Sequence, residues 1–115
     1  MAYRVDLRID KGSERPTILE FFDNSRRPIC FDGYTARMQI RRTPTSDQII
    51  DELSSEGDYP RLIICADTIR ILWPRGVTQS IQAGRYVYDL LVTQPNGNVI
   101  RLAEGALEFR QEVTR

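Results

Sequence analysis

The sequence predicts an all-β fold, an Ig-like antiparallel β-sandwich of about eight strands, and three observations carry that prediction. Several short stretches alternate apolar and polar residues, the period of a strand with one face buried and one in water. Turn-forming residues separate them at intervals of roughly 8 to 12 residues. Near the C-terminus, Asn96-Gly97 sits between two such stretches and gives a strong local hairpin signal.

The segment from Gly84 to Arg115 is the most legible. It predicts a three-stranded meander: a strand over Arg85 to Thr93, a turn at Pro95-Asn96-Gly97-Asn98, a strand over Val99 to Ala103, a corner at Gly105 and a strand over Ala106 to Val113. Asn96 and Gly97 are expected to supply the positive φ that a tight hairpin needs. Arg85 to Thr93 is the expected central strand, with Tyr86, Tyr88, Leu90 and Val92 on one side, Val87 and Leu91 on the other, and both faces covered. Asp89 interrupts that apolar strand, so it needs a partner if covered, and Arg101 on the neighbouring strand is the obvious one.

From the N-terminus, Tyr3 to Asp10 alternates without a fault, and its charged face runs Arg4, Asp6, Arg8, Asp10, which could neighbour another such strand. A turn over Lys11 to Pro16 leads to a second strand, Thr17 to Phe22, and a polar loop, Asp23 to Pro28. Tyr34 to Arg41 is a further half-buried strand, ended before Pro44. Ser46 to Leu53 reads either as a short helix capped by Ser46 or as an extended strand, and its shortness and neighbours favour the strand. Leu62 to Ala66 and Ile69 to Trp73 form a hairpin about Asp67-Thr68. One helical turn over 77–82, closed by a left-handed glycine cap at Gly84, is expected to cross from one sheet to the other.

A chain of 115 residues fits one domain over 1–115, long enough to bury a core without metal or disulfide. No apolar run approaches the roughly 20 residues of a membrane span, and the N-terminus lacks the apolar centre of a signal peptide, so synthesis in the cytosol is expected. Sixteen basic residues balance sixteen acidic ones, which removes the electrostatic argument for nucleic acid or an acidic membrane as partner. Lys11 is the sole lysine among the basic residues. Arginine pairs with carboxylates in two places at once and suits permanent interfaces, although genomic base composition gives the same bias.

The chain has no histidine. That excludes Ser-His and Cys-His nucleophile pairs and histidine metal sites, and no carboxylate spacing singles out a general acid and base. No enzyme activity and no cofactor is therefore expected. Cys30 and Cys65 have no zinc spacing and read as small buried residues rather than a disulfide. Each glycine falls next to an expected turn, so none belongs to a phosphate loop. Tyr34, Tyr59, Tyr86, Tyr88 and Trp73 read as core aromatics, with stacking on sugars or bases as the alternative.

Three stretches carry a family likeness: Asp32 to Arg41 (DGYTARMQIR), Ala83 to Leu90 (AGRYVYDL), and Gly97 through Arg101-Leu102 and Glu104-Gly105 to Glu112-Val113-Thr114-Arg115. Together they resemble small tailed-bacteriophage proteins, a family that also appears as an N-terminal β-sandwich module of baseplate and tail-fibre proteins. The resemblance implies a virion structural protein made in the host bacterial cytoplasm, docking on other virion proteins as a homo-oligomer within a symmetric assembly. In fibre proteins a long extension follows such a module, whereas this chain stops at Arg115. The expectation is thus a free-standing adaptor of the tail or baseplate, with capsid decoration and, more remotely, carbohydrate binding as alternatives. Tyr3, Arg4, Val5 and Arg8 of the N-terminal strand, with Arg26 and Arg27 of the following loop, are the candidate partner contacts. Asp89, Arg101, Tyr86, Tyr88, Asn96 and Gly97 are expected to be scaffold.

Overall fold

The structure, a computed structural model, describes residues 2–111. Nine strands and one helix follow in order: β1 (Tyr3–Arg4), β2 (Leu7–Asp10), β3 (Thr17–Glu20), β4 (Thr35–Arg41), β5 (Ile49–Ser54), β6 (Leu62–Cys65), β7 (Thr68–Ile71), α1 (Arg75–Ser80), β8 (Gly84–Thr93) and β9 (Val99–Arg110). The all-β prediction holds. β5, β4, β8 and β9 lie side by side in a large sheet, with β1 and β2 both beside β9, and β3, β7 and β6 form a small one.

Alternation within strands builds the core. Met38, Ile40, Leu90, Val92 and Leu107 from the large sheet meet Leu19, Leu62, Ile69 and Ile71 from the small one, all buried. Aromatic side chains bridge the layers. Phe109 stands edge-on to Trp73 at 5.8 Å and to Tyr86 at 5.5 Å, and Phe31 edge-on to Phe21 at 5.9 Å and Tyr34 at 5.6 Å. Such pairs add about 0.5–1.5 kcal/mol each beyond the area they bury. The ambiguous segment at 46–53 resolves as the strand β5, pairing antiparallel with β4.

Several expectations are corrected. β9 is one continuous strand, so the predicted meander is a two-stranded hairpin and Gly105 is no corner. The predicted third strand's end at Val113 lies outside the described residues. At the hairpin turn, the Gly97 amide donates to the Gln94 carbonyl (2.8 Å) and the Gln94 amide to the Asn98 carbonyl (2.8 Å). Of the turn residues only Gly97 takes positive φ, at 91°, while the Asn96 side chain accepts from the Asn98 amide at 3.0 Å. This is a four-residue turn, Gln94 to Gly97, whose last residue is a glycine in the left-handed region, a geometry that does not need positive φ at Asn96. The helix runs two residues earlier than predicted and ends on extended Ile81. Gly84, at φ +148°, opens β8 rather than capping the helix. As expected, the helix carries the chain from the small sheet to the large one.

The N-terminal stretch departs most. It divides at Val5-Asp6 into β1 and β2, and both pair parallel, not antiparallel, with β9. The cause is local. The Val5 amide donates to the Glu104 carbonyl (3.0 Å), and the Ala106 amide takes the Asp6 carboxylate (3.0 Å) in place of a backbone acceptor. A side chain thus completes the ladder where the backbone bows away.

Candidate docking surface

A sandwich of two open sheets has two flanks, and connected strands cross each of them here. On one flank the turn after β2 leads to β3; on the other, the loop after β5 leads to β6.

The β5–β6 flank is sealed by Arg61. Its amide donates to the Ser54 carbonyl (3.1 Å), its carbonyl accepts from the Leu72 amide (2.8 Å), and its Nε donates to the Leu72 carbonyl (3.3 Å). Nη1 meets Asp51 Oδ1 at 2.9 Å, with the side chains only 17% and 13% exposed. The guanidinium lies 5.8 Å from the centre of the Trp73 ring. The other atoms of the pair, Asp51 Oδ2 and Arg61 Nη2, are buried without a hydrogen-bond partner. Neither residue was singled out by sequence. The available signal was Asp51 beside Ile49-Ile50, an acid interrupting apolar residues just as Asp89 does.

The β2–β3 flank is open. β9 lies on one side of β1 and β2 and β7 on one side of β3, and no strand among the described residues pairs with their other edges. The two edges border the same flank, and the Tyr3 hydroxyl donates across it to the Phe22 carbonyl just beyond β3 at 2.7 Å. Between them runs a groove of about 430 Å³, with Tyr3, Val5, Ile18 and Phe22 in its lining. Ile18 is 51% exposed, Phe22 45% and Tyr3 39%. Farther along the same flank a smaller concavity of about 160 Å³ lies between Arg8–Asp10 and Ser13–Thr17. Large apolar side chains left in water beside unpaired strand edges are the usual physical mark of a protein-binding surface.

Of the predicted contacts, Tyr3, Arg4 and Val5 line this groove and Arg8 its continuation. Val5 is half-buried and its carbonyl accepts the Tyr88 hydroxyl at 2.6 Å. Burial, then the nearby Asp6 carboxylate, pushes the Tyr88 phenol well above the ordinary tyrosine range, so it stays a donor. Gly105 leaves room for this arrangement: a Cβ there would strike the Val5 carbonyl and come within 2.9 Å of Asp6 Oδ1. The expectation that every glycine marks a turn fails at this position, where close backbone approach requires the missing side chain. Arg26 and Arg27 are exposed in the loop after β3, held by Asp23, whose carboxylate accepts from the amides of Ser25 (2.8 Å) and Arg27 (3.0 Å).

Asp89 and Arg101 lie on the outer face of the large sheet. Contrary to expectation, only the inward face of β8 is fully covered, and Val87, Asp89 and Leu91 are half-exposed. Arg101 reaches Asp89 at 3.9 Å and Glu104 at 3.4 Å, a loose shared pairing in partial contact with water. Beside it Gln39 donates to Glu52 (2.6 Å), and Arg41 donates to Gln39 (2.9 Å) and the Ser46 carbonyl (2.6 Å). These partners satisfy one another across the strands, a polar ladder that stabilises the sheet. Tyr86, Tyr88 and Trp73 are core as expected and Tyr34 packs against it, but Tyr59 is 93% exposed. Cys30 is exposed rather than buried, and both cysteines are free thiols.

Among the described residues no group of three or more His, Cys, Asp or Glu side chains could hold a metal ion, and no helix is long and apolar enough to cross a membrane. No protein-family model matches the chain, and no curated protein matches it.

Proposed function

We propose that this chain is a non-enzymatic structural subunit of a tailed-phage virion, docking on other virion proteins in the tail or baseplate. The single observation that supports a docking role is the open flank, where two unpaired strand edges border a groove with Tyr3, Ile18 and Phe22 in water. The phage setting rests on the resemblance of Asp32 to Arg41, Ala83 to Leu90 and the segment after Gly97. A partner would bury the apolar side chains for affinity, and exposed arginines around them would fix orientation by pairing with its carboxylates. Repetition by symmetry would let modest single contacts hold firmly.

Antibodies against the recombinant chain, applied to purified particles of the phage whose genome carries its gene, test the reading by gold labelling in the electron microscope. Label at the tail or baseplate is the expected result. Label over the capsid would replace docking in the tail with capsid decoration, and absence of the chain from washed particles would overturn the virion role.

A further inference from the structure

We infer that two copies of this chain pair edge to edge through β1 and β2, antiparallel, with Leu7 of each copy on the two-fold axis. The inference rests on the reading of the open flank as a docking surface and names the partner as a second copy.

The backbone provides the first observation. The amides of Val5 and Lys11 both donate into β9, at 3.0 and 2.9 Å, to the carbonyls of Glu104 and Arg110. Successive residues of a strand direct their backbone groups to opposite sides. The odd-numbered residues therefore serve β9, and Arg4, Asp6, Arg8 and Asp10 present theirs at the other edge, where the Asp10 carbonyl accepts the Ser13 amide (3.1 Å) and the remaining groups face outward. The register to β9 keeps the same offset on both sides of the bow at Val5-Asp6, from Tyr3 opposite Ala103 to Leu7 opposite Leu107, so the phase is not lost.

Charge provides the second. These same four residues read Arg, Asp, Arg, Asp, and all are exposed. Antiparallel pairing about Leu7 sets Arg4 opposite Asp10 and Asp6 opposite Arg8, and the two-fold repeats both pairs, so each edge charge meets its opposite. Slipping one ladder step sets Arg4 opposite Arg8 and Asp6 opposite Asp6; slipping the other way sets Arg8 opposite Arg8 and Asp6 opposite Asp10. Opposite charges across a ladder stabilise and like charges destabilise, so the sequence selects one register and rejects both neighbours. Edge strands that avoid company commonly carry lysines, a proline or a bulge. This one carries a self-complementary alternation instead.

The Asp6 carboxylate keeps one oxygen on the Ala106 amide (3.0 Å) and turns the other to Arg8 of the second copy, and the existing ion pairs do not obstruct the arrangement. Arg4 meets Asp6 at 3.5 Å and Arg8 meets Glu108 at 3.7 Å, and the two arginine side chains are 70% and 75% exposed, so both can turn to a new partner at small cost. On the core side the same register sets half-buried Val5 opposite Ile9 of the other copy. The large sheet would then run unbroken through both copies, an isologous interface of the kind that closes on itself and does not propagate.

Analytical ultracentrifugation of the whole chain tests it with the Arg4→Asp and Asp10→Arg variants, whose side chains are exposed; thermal melts check that each stays folded. Wild type should dimerise with increasing concentration. Each variant alone should associate about tenfold more weakly or worse, since one change turns two attractive cross-strand pairs into repulsive ones. An equimolar mixture should regain the wild-type dimer, because each variant supplies the charge the other lacks. Should either variant melt early, Arg4→Glu and Asp10→Lys take their places in the same scheme. A wild type that stays monomeric up to about millimolar concentration, the weak limit of specific affinity, overturns the pairing. So does a mixture no tighter than its components. A dimer absent from virions would uphold the pairing and sink the virion role, and a monomer present in virions would do the reverse.

Discussion

The two flanks use the same device, a strand of the large sheet followed by a strand of the small one, and finish it in opposite ways. Between β5 and β6, Arg61 ties both sheets together through backbone, ion pair and the Trp73 ring, and water is largely shut out. Between β2 and β3, the ties across the edges among the described residues come from Tyr3, whose exposed hydroxyl bonds Phe22 and whose ring lies 5.4 Å from that of Phe21, beside apolar side chains left in water. Closure therefore does not follow from the topology. It depends on whether the side chain that crosses the gap is buried with its partner, as Arg61 is and Tyr3 is not.

The largest effect is expected where the flank is sealed. Asp51→Ala should cost about 2–4 kcal/mol in urea unfolding, because it strands a mostly buried guanidinium whose Nη2 already lacks a partner. The contrast sharpens with the double variant Asp51→Leu, Arg61→Met. Removing both charges also removes the two unsatisfied atoms, so most of the loss should return. A double variant as unstable as the single would mean that Arg61 acts through its Leu72 hydrogen bond and its Trp73 stacking, not through charge.

Next in size is Gly105→Ala, which acts on the open flank from beneath. The added methyl must push the Val5 carbonyl away, at about 1–3 kcal/mol for an overpacked site. Hydrogen exchange should locate the damage: amides of β1 and β2 lose protection while those of β4 and β5 keep theirs. Uniform loss across the large sheet would show instead that the N-terminal strands and the central hairpin unfold as one unit.

Much of this was legible in sequence, and the failures share a cause. Alternation identifies which residues of a strand face inward, and Tyr86, Tyr88, Leu90 and Val92 are buried on that basis alone. It does not identify a strand's neighbours. Tyr3 to Asp10 alternates as cleanly as β8, yet one lies at an edge in parallel pairing and the other at the centre of the sheet. Glycine reads as punctuation at Gly105, although buried Ala103, Leu107 and Phe109 keep the strand's period through it. Of the residues lining the open groove and its continuation, Tyr3, Arg4, Val5 and Arg8 are edge candidates in the sequence. Ile18 and Phe22 read in sequence only as strand residues, because their exposure depends on β3 having one neighbour among the described residues. The closed flank is not legible in sequence because Arg61, just after a turn, reads as a solvated charge until the fold places Asp51 and Trp73 beside it.

The smallest effect concerns Tyr88, which joins the centre of the large sheet to the edge that remains open. Phenylalanine at this position removes the bond to the Val5 carbonyl and should cost about 1–2 kcal/mol at neutral pH. Its diagnostic is alkaline. Because burial raises the phenol's pKa in the folded state, the folded chain holds that proton after the unfolded chain has begun to release it. The resulting stability is fully present below about pH 10, the ordinary tyrosine value, and is lost as pH rises through the folded-state value. Wild type should therefore lose more stability than Tyr88→Phe between pH 9 and 11, and the difference between them should narrow. Parallel curves would mean that the hydroxyl titrates as freely in the folded chain as in the unfolded one, and that the N-terminal edge is held by β9 alone.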